Sequence, residues 1–178
     1  FREHSPAASH TSRDGWLILD VDLTGMPCGK QAEKSTKGYF AQPRVRRGRQ
    51  QGRVLASQYG EIVVDALYPG NTILLNALPG LLEQAEQVLA LTPWKRKHTI
   101  IRLDAGGGSI DSLNHLLSQD YAVVSKDYSA QRVSRLVKSV TQWVDDPDQP
   151  GRQVGWVQEK SLDYVRPVVR LAVRSRQK

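Results

Sequence analysis

Apolar and polar positions along the chain fall into short blocks of two periods. Residues 16–22, Trp-Leu-Ile-Leu-Asp-Val-Asp, are nearly continuous apolar and predict a buried strand. Residues 53–59 and 61–68 flank Gly60 and predict a hairpin, stopped by Pro69-Gly70-Asn71. From 72 to 91 the period lengthens. Leu74, Leu78, Leu81, Leu82, Ala85, Val88 and Leu89 recur at helical spacing. Pro79-Gly80 interrupts them, so either the helix kinks or a second one begins with Pro79 in its first turn. Residues 98–104 predict another buried strand, and Gly106-Gly107-Gly108 a tight turn. Ser109 then suits a helix cap, since its hydroxyl can accept from an unpaired backbone amide. Ile110, Leu113, Leu116 and Leu117 stripe the helix behind it. Residues 121–126 predict a fifth strand. Val133, Leu136, Val137 and Val140 stripe a third helix. Residues 152–157 and 166–173 read as extended.

The order is β-β-β-α-β-α-β-α followed by a β-rich C-terminal segment. A hairpin followed by α/β units predicts an α/β fold, a mixed sheet with helices on its faces. Residues 1–15 read as a polar leading segment and residues 16–144 as the core. Residues 28–52 are polar, basic and glycine-containing, and read as a long loop or disordered arm; such loops in compact domains are usually functional or mobile. Residues 145–178 read as a linker and a further β-rich segment.

Composition narrows the function classes. The chain has 178 residues, 39% of them hydrophobic, which suits one ordinary domain with a real core. No apolar run approaches the ~18 residues of a spanning helix, so no membrane partner is expected. The single cysteine, Cys28, excludes an internal disulfide framework and a cysteine zinc cluster, and points to the cytoplasm. The chain starts at Phe1 without a methionine and is expected to be a piece of a longer protein.

Charge changes the picture more. The net charge is +7. Residues 30–53 hold Lys30, Lys34, Lys37, Arg44, Arg46, Arg47, Arg49 and Arg53 against one acid, Glu33. A confined excess of guanidinium groups suits phosphate, which they can pair bidentately, and nucleic acid is the obvious polyanion. The alternative is a solvated basic loop with no partner.

Asp20 and Asp22 sit in an otherwise apolar strand, and Asp104 closes another. Gathering carboxylates at strand ends is costly through desolvation and like-charge repulsion. A divalent cation removes that cost, because Mg2+ prefers hard oxygen ligands. The plainer readings are a salt-bridged Asp20 and a helix-capping Asp104. The glycine turn could instead cradle a phosphate at a helix N-terminus, although it has neither the Rossmann glycine pattern nor the P-loop Lys-Ser/Thr pair. The four histidines show no metal-ligand spacing, and Cys28 has no evident His or Asp partner for thiol catalysis.

Taken in order, Asp20-Val-Asp22-Leu-Thr-Gly-Met-Pro, the hairpin closing on Leu67-Tyr-Pro-Gly-Asn71, Ile101-Arg-Leu-Asp104-Ala-Gly-Gly-Gly and Tyr121-Ala-Val-Val-Ser-Lys resemble the DDE transposases of bacterial insertion sequences. The resemblance runs from about Trp16 to Val140. It implies an RNase H-like catalytic domain that cleaves and transfers DNA strands with Mg2+ or Mn2+. It implies Asp22, better placed than Asp20, and Asp104 as catalytic and metal-holding residues. DNA is the implied partner, with Lys30, Lys37, Arg44, Arg46, Arg47, Arg49 and Arg53 as the binding set. A full-length homodimer in the bacterial cytoplasm, associated with the nucleoid, is also implied. The family's third acid is a glutamate in a Tyr-x-x-Arg-x-x-x-Glu setting. Asp145, Asp146, Asp148, Glu159 and Asp163 do not match it, so the third acid is unknown and is expected beyond Lys178. The rival readings are an inactive RNase H-like DNA-binding fragment and an unrelated α/β protein that binds a phosphorylated ligand.

Overall fold

The structure is a computed structural model that describes residues 4–40, 45–127, 129–161 and 163–175. Of the basic residues singled out above, Arg44 lies outside the described residues. The chain divides into two compact units, 1–126 and 127–178.

The first unit is built on a mixed sheet. β1 (Leu17–Pro27) runs antiparallel to β3 (Val45–Ala56), with Asp22 opposite Arg53 and Met26 opposite Arg49. On its other side β1 runs parallel to β5 (Thr99–Leu103), which pairs in parallel with β6 (Ala122–Ser125). The outer edge of β3 carries two strands end to end, β2 (Thr36–Tyr39) and β4 (Glu61–Pro69). This is the mixed α/β sheet that the order of apolar blocks predicts.

The alternation within the strands decides which face is covered. Leu17, Leu19 and Val21 of β1 are at most 3% exposed, as is Ile101 of β5. α1 (Leu74–Leu89) and α3 (Ile110–Ser118) lay their stripes against that face, with Leu78, Leu81 and Leu116 fully buried. Between them, α2 (Pro93–Arg96) is a single turn capped by Thr92. Pro79 neither ends nor divides α1. Leu78, Leu81 and Leu82 on either side of it are core residues, and their burial outweighs the hydrogen bond that proline cannot make.

The stretch 28–52 departs from the expected long loop. Among its described residues, 28–35 and Phe40 lie outside strands, while β1 extends to Pro27 and β2 and most of β3 lie within the stretch. Glycines make this possible. A Cβ on Gly38 would sit 1.9 Å from the Gly70 carbonyl oxygen, and one on Gly70 would sit 2.2 Å from that of Gly48. Backbone therefore packs directly on backbone where β2, β3 and the end of β4 meet. A polar composition hid strands whose packing surface is main chain.

The second unit holds α4 (Ala130–Leu136) and a small antiparallel sheet, β7 (Val144–Asp145), β8 (Arg152–Trp156) and β9 (Leu171–Ser175). Asp127 receives three hydrogen bonds from the Arg132 guanidinium, at 2.7–3.0 Å. Among the described residues no helix is long and apolar enough to cross a membrane.

Candidate active site

The parallel pairing of β1 with β5 builds the site. Register pairs run from Leu17 with Thr99 to Val21 with Leu103. One step further, Asp22 and Asp104 stand at adjacent positions where the two strands end their pairing. With the odd residues buried, Asp20, Asp22, Arg102 and Asp104 project from the opposite face.

The neighbours of the three aspartates separate their roles. Asp20 is taken: Arg102 grips it bidentately at 2.5 and 2.6 Å and also reaches Ser57 Oγ at 3.2 Å. Among the described residues, Asp22 receives only a long bond from the Thr24 hydroxyl, 3.4 Å. Asp104 Oδ1 accepts from the Gly107 amide at 3.1 Å. Among the described residues neither Asp22 nor Asp104 has a Lys or Arg within ion-pair distance, and both are exposed to one open cleft of about 540 Å³. Leu23, Thr24, Gln50 and Phe40 line the same cleft. Phe40 fits there because Gly25 and Gly48 have no side chain; a Cβ on either would lie 2.7 or 2.4 Å from its ring.

The glycine turn after β5 positions Asp104. A Cβ on Gly106 would crowd Asp104 Oδ1 at 3.1 Å, and one on Gly108 would overlap the Lys126 carbonyl at 2.0 Å. The Gly107 amide is spent on Asp104, and Ser109 caps α3 through the Ser112 amide. The turn serves the carboxylate.

The basic residues divide by face. Residues opposite each other on antiparallel strands share a face, so Arg49 and Arg53 lie on the face of Asp22, and alternation adds Arg47. Arg53, directly across from Asp22, is bonded to Asp65 on β4 at 2.8 Å, and its guanidinium holds the Asp65 carboxyl below the usual carboxylate range. Arg47 donates to the Ser35 carbonyl at 3.2 Å, which steadies the irregular stretch. Arg46 points the other way, over the Phe40 ring at 6.0 Å. Lys30 and Lys37 are exposed. Arg102 and Asp65 are the functional neighbours that sequence reasoning missed. Their signal exists only in register: Asp20 pairs with Arg102 and Arg53 with Asp65.

Two hard carboxylates without a cationic partner fit one divalent cation, which Mg2+ sites typically complete with water and substrate phosphate. Among the described residues no group of three His, Cys, Asp or Glu comes together to hold a metal. In the second unit Asp146 is paired with Arg152 and Glu159 with Arg135.

The first unit thus defines an α/β sheet protein with a carboxylate pair at the ends of adjacent parallel strands. No protein-family model and no curated protein matches the chain. Among solved structures, a piggyBac transposase synaptic complex with hairpin DNA, determined by cryo-EM, aligns with 80% of this chain at 14% identity and a TM-score of 0.48. This chain covers 30% of that one. YeaZ from Pseudomonas aeruginosa aligns with 89% of this chain and 67% of its own, at 12% identity and a TM-score of 0.34. At these scores neither likeness says anything of chemistry in this chain.

Proposed function

We propose that the chain carries the catalytic core of a metal-dependent DNA strand-transfer enzyme of the DDE transposase type, with two of its three acids. The observation that supports this is the adjacency of Asp22 and Asp104, both free of cationic partners among the described residues while Asp20 beside them is fully paired. Asp22 and Asp104 would hold the cation, with the Thr24 hydroxyl orienting the first and the Gly107 amide the second. The bound cation would activate water or a DNA 3′-hydroxyl and stabilise the leaving oxygen. Arg47 and Arg49, on the same face, would hold the phosphate backbone beside the carboxylates. A second ion needs another carboxylate to fix it, so strand cleavage by this chain alone should be poor.

The test is calorimetric titration with Mn2+, followed by incubation with supercoiled plasmid. Weak Mn2+ binding should disappear in Asp22→Asn and Asp104→Asn and persist in Asp20→Asn. Binding that survives both substitutions would sink the proposal. Robust nicking abolished by Asp104→Asn would mean that another acid of this chain completes the site. A second reading, a fragment that holds DNA without cutting it, draws on the lack of a three-acid cluster among the described residues. It predicts DNA affinity indifferent to Mn2+ and to both substitutions.

A further inference from the structure

The opposite end of the same sheet carries a second concavity. Leu17 and Thr99, which begin β1 and β5, floor a cavity of about 260 Å³ together with Leu89. Its rim is aromatic and basic. Trp94 is 54% exposed and lies against His98, with ring centroids 4.3 Å apart and planes 34° apart. Trp16, 47% exposed, approaches the same imidazole at 5.9 Å. Two half-exposed indoles around one imidazole are not a core arrangement. Large apolar surface left in water is the informative exception.

The polar groups say what the rings could take. His98 Nδ1 lies 3.0 Å from the Trp94 carbonyl, which can only accept. Nδ1 therefore carries the proton when the ring is neutral, and Nε2 is left as an acceptor. His10, on the same rim, is fully used: Nε2 donates to the Gly15 carbonyl and Nδ1 accepts from the Tyr59 hydroxyl. Lys95 lines the cavity, and among the described residues no carboxylate lies within ion-pair distance of it. Its neighbours are occupied, Arg96 with Glu86 and Lys97 with Asp120. Among the described residues no acid lines the cavity. The nearby Asp14 accepts from the Thr11 amide and hydroxyl, both at 2.8 Å.

Stacking faces, one acceptor and one unneutralised ammonium form a specific set. An apolar ligand has no use for Lys95, and a free anion has no use for the indoles. A planar heterocycle with N–H donors and a phosphate uses all three. We propose that Trp94, His98, Trp16 and Lys95 form a stacking site for an unpaired base of a nucleic-acid strand. The site stands five residues of β1 away from Asp22, roughly 17 Å at strand spacing, and does not depend on cation binding there.

The experiment uses the full chain in EDTA and follows the anisotropy of labelled strands. Oligothymidylate and oligouridylate are compared with an abasic sugar-phosphate strand of the same length. A base-bearing strand should bind about tenfold more tightly than the abasic one, the scale of a single stacked base. Trp94→Ala should erase most of that difference, and Trp94→Phe, which keeps a ring, should retain it. Lys95→Ala should weaken all three strands alike. Equal affinity for based and abasic strands, or a preference unchanged in Trp94→Ala, would overturn the site. Asp22→Asn and Asp104→Asn should leave this preference intact, which separates its failure from that of the carboxylate site.

Discussion

Asp20 and Asp22 are two residues apart, share a face and carry the same charge, yet their situations differ completely. The difference lies in what β5 sets beside them: Arg102 stands opposite Asp20, and past Leu103 it is Asp104 that stands beside Asp22. The same contrast of paired and unpaired acids gives the chain a pH signature in its second unit. Burial pushes the Asp127 carboxyl up, but hydrogen bonds from Arg132 and the Ser129 amide pull it down further, so its pKa lies below the ordinary 3.8. A depressed folded value means that the stabilisation is complete above the unfolded value and is lost as pH falls through the folded one. Acid melts of the chain should therefore lose stability below about pH 4, and Asp127→Asn should flatten that limb. At pH 7, Arg132→Ala should cost about 2 kcal/mol, the scale of hydrogen bonds to a charged group; urea denaturation would measure it.

Among the elements, β2 and the first half of β3 are the ones whose integrity rests on the absence of side chains. Gly38→Ala puts a methyl group 1.9 Å from a carbonyl oxygen of main chain that cannot swing aside. Such overpacking costs about 1–3 kcal/mol or more, and here it should release β2. Limited proteolysis within residues 28–40 should speed up sharply in Gly38→Ala. Gly29→Ala, with nothing within 4 Å, should leave the rate unchanged. These strands are also where the sequence was least legible. The strand at 16–22, the hairpin around Gly60, the strand at 98–104 and the helix on Leu74–Leu89 each bury apolar side chains at a clear period, so pattern alone found them. Arg-Arg-Gly-Arg-Gln-Gln-Gly has no apolar residue to mark a face; its glycines instead make room for the Phe40 ring at Gly48 and for Tyr68 and Leu81 at Gly52. The candidate site was legible to the same degree. Asp22 and Asp104 were visible as acids interrupting apolar runs. The capture of Asp20 by Arg102 and of Arg53 by Asp65 was not, because both pairings are properties of register.

At the scale of the whole molecule, the positive excess is not evenly available. Arg53 is committed to Asp65 and Arg47 is half-committed to Ser35, whereas Arg49 on the carboxylate face, Arg46 beside Phe40 and the exposed Lys30 and Lys37 have no carboxylate within ion-pair distance among the described residues. Replacing Arg46, Arg47 and Arg49 together by alanine should weaken binding to every DNA sequence alike. It should also flatten the dependence of log affinity on log salt by roughly one unit for each phosphate no longer neutralised. Arg53→Ala should change that slope least, because its charge is already neutralised within the fold. Fluorescence anisotropy of a random duplex across a salt series is the measurement, and a slope unchanged in the triple substitution would show that these arginines face something other than phosphate.

The pairing of β1 with β5 also sets a timetable. Asp22 meets Asp104 only after the long stretch of chain between them has been arranged, and on its other side β1 waits for β3. Closing such long loops is entropically slow, and sheets dominated by distant pairings reach the native state in milliseconds to seconds. The two carboxylates cannot assemble early on a local fragment. In a stopped-flow refolding experiment, the capacity to bind Mn2+ should emerge with the slowest phase, well after α1 has gained its helical signal.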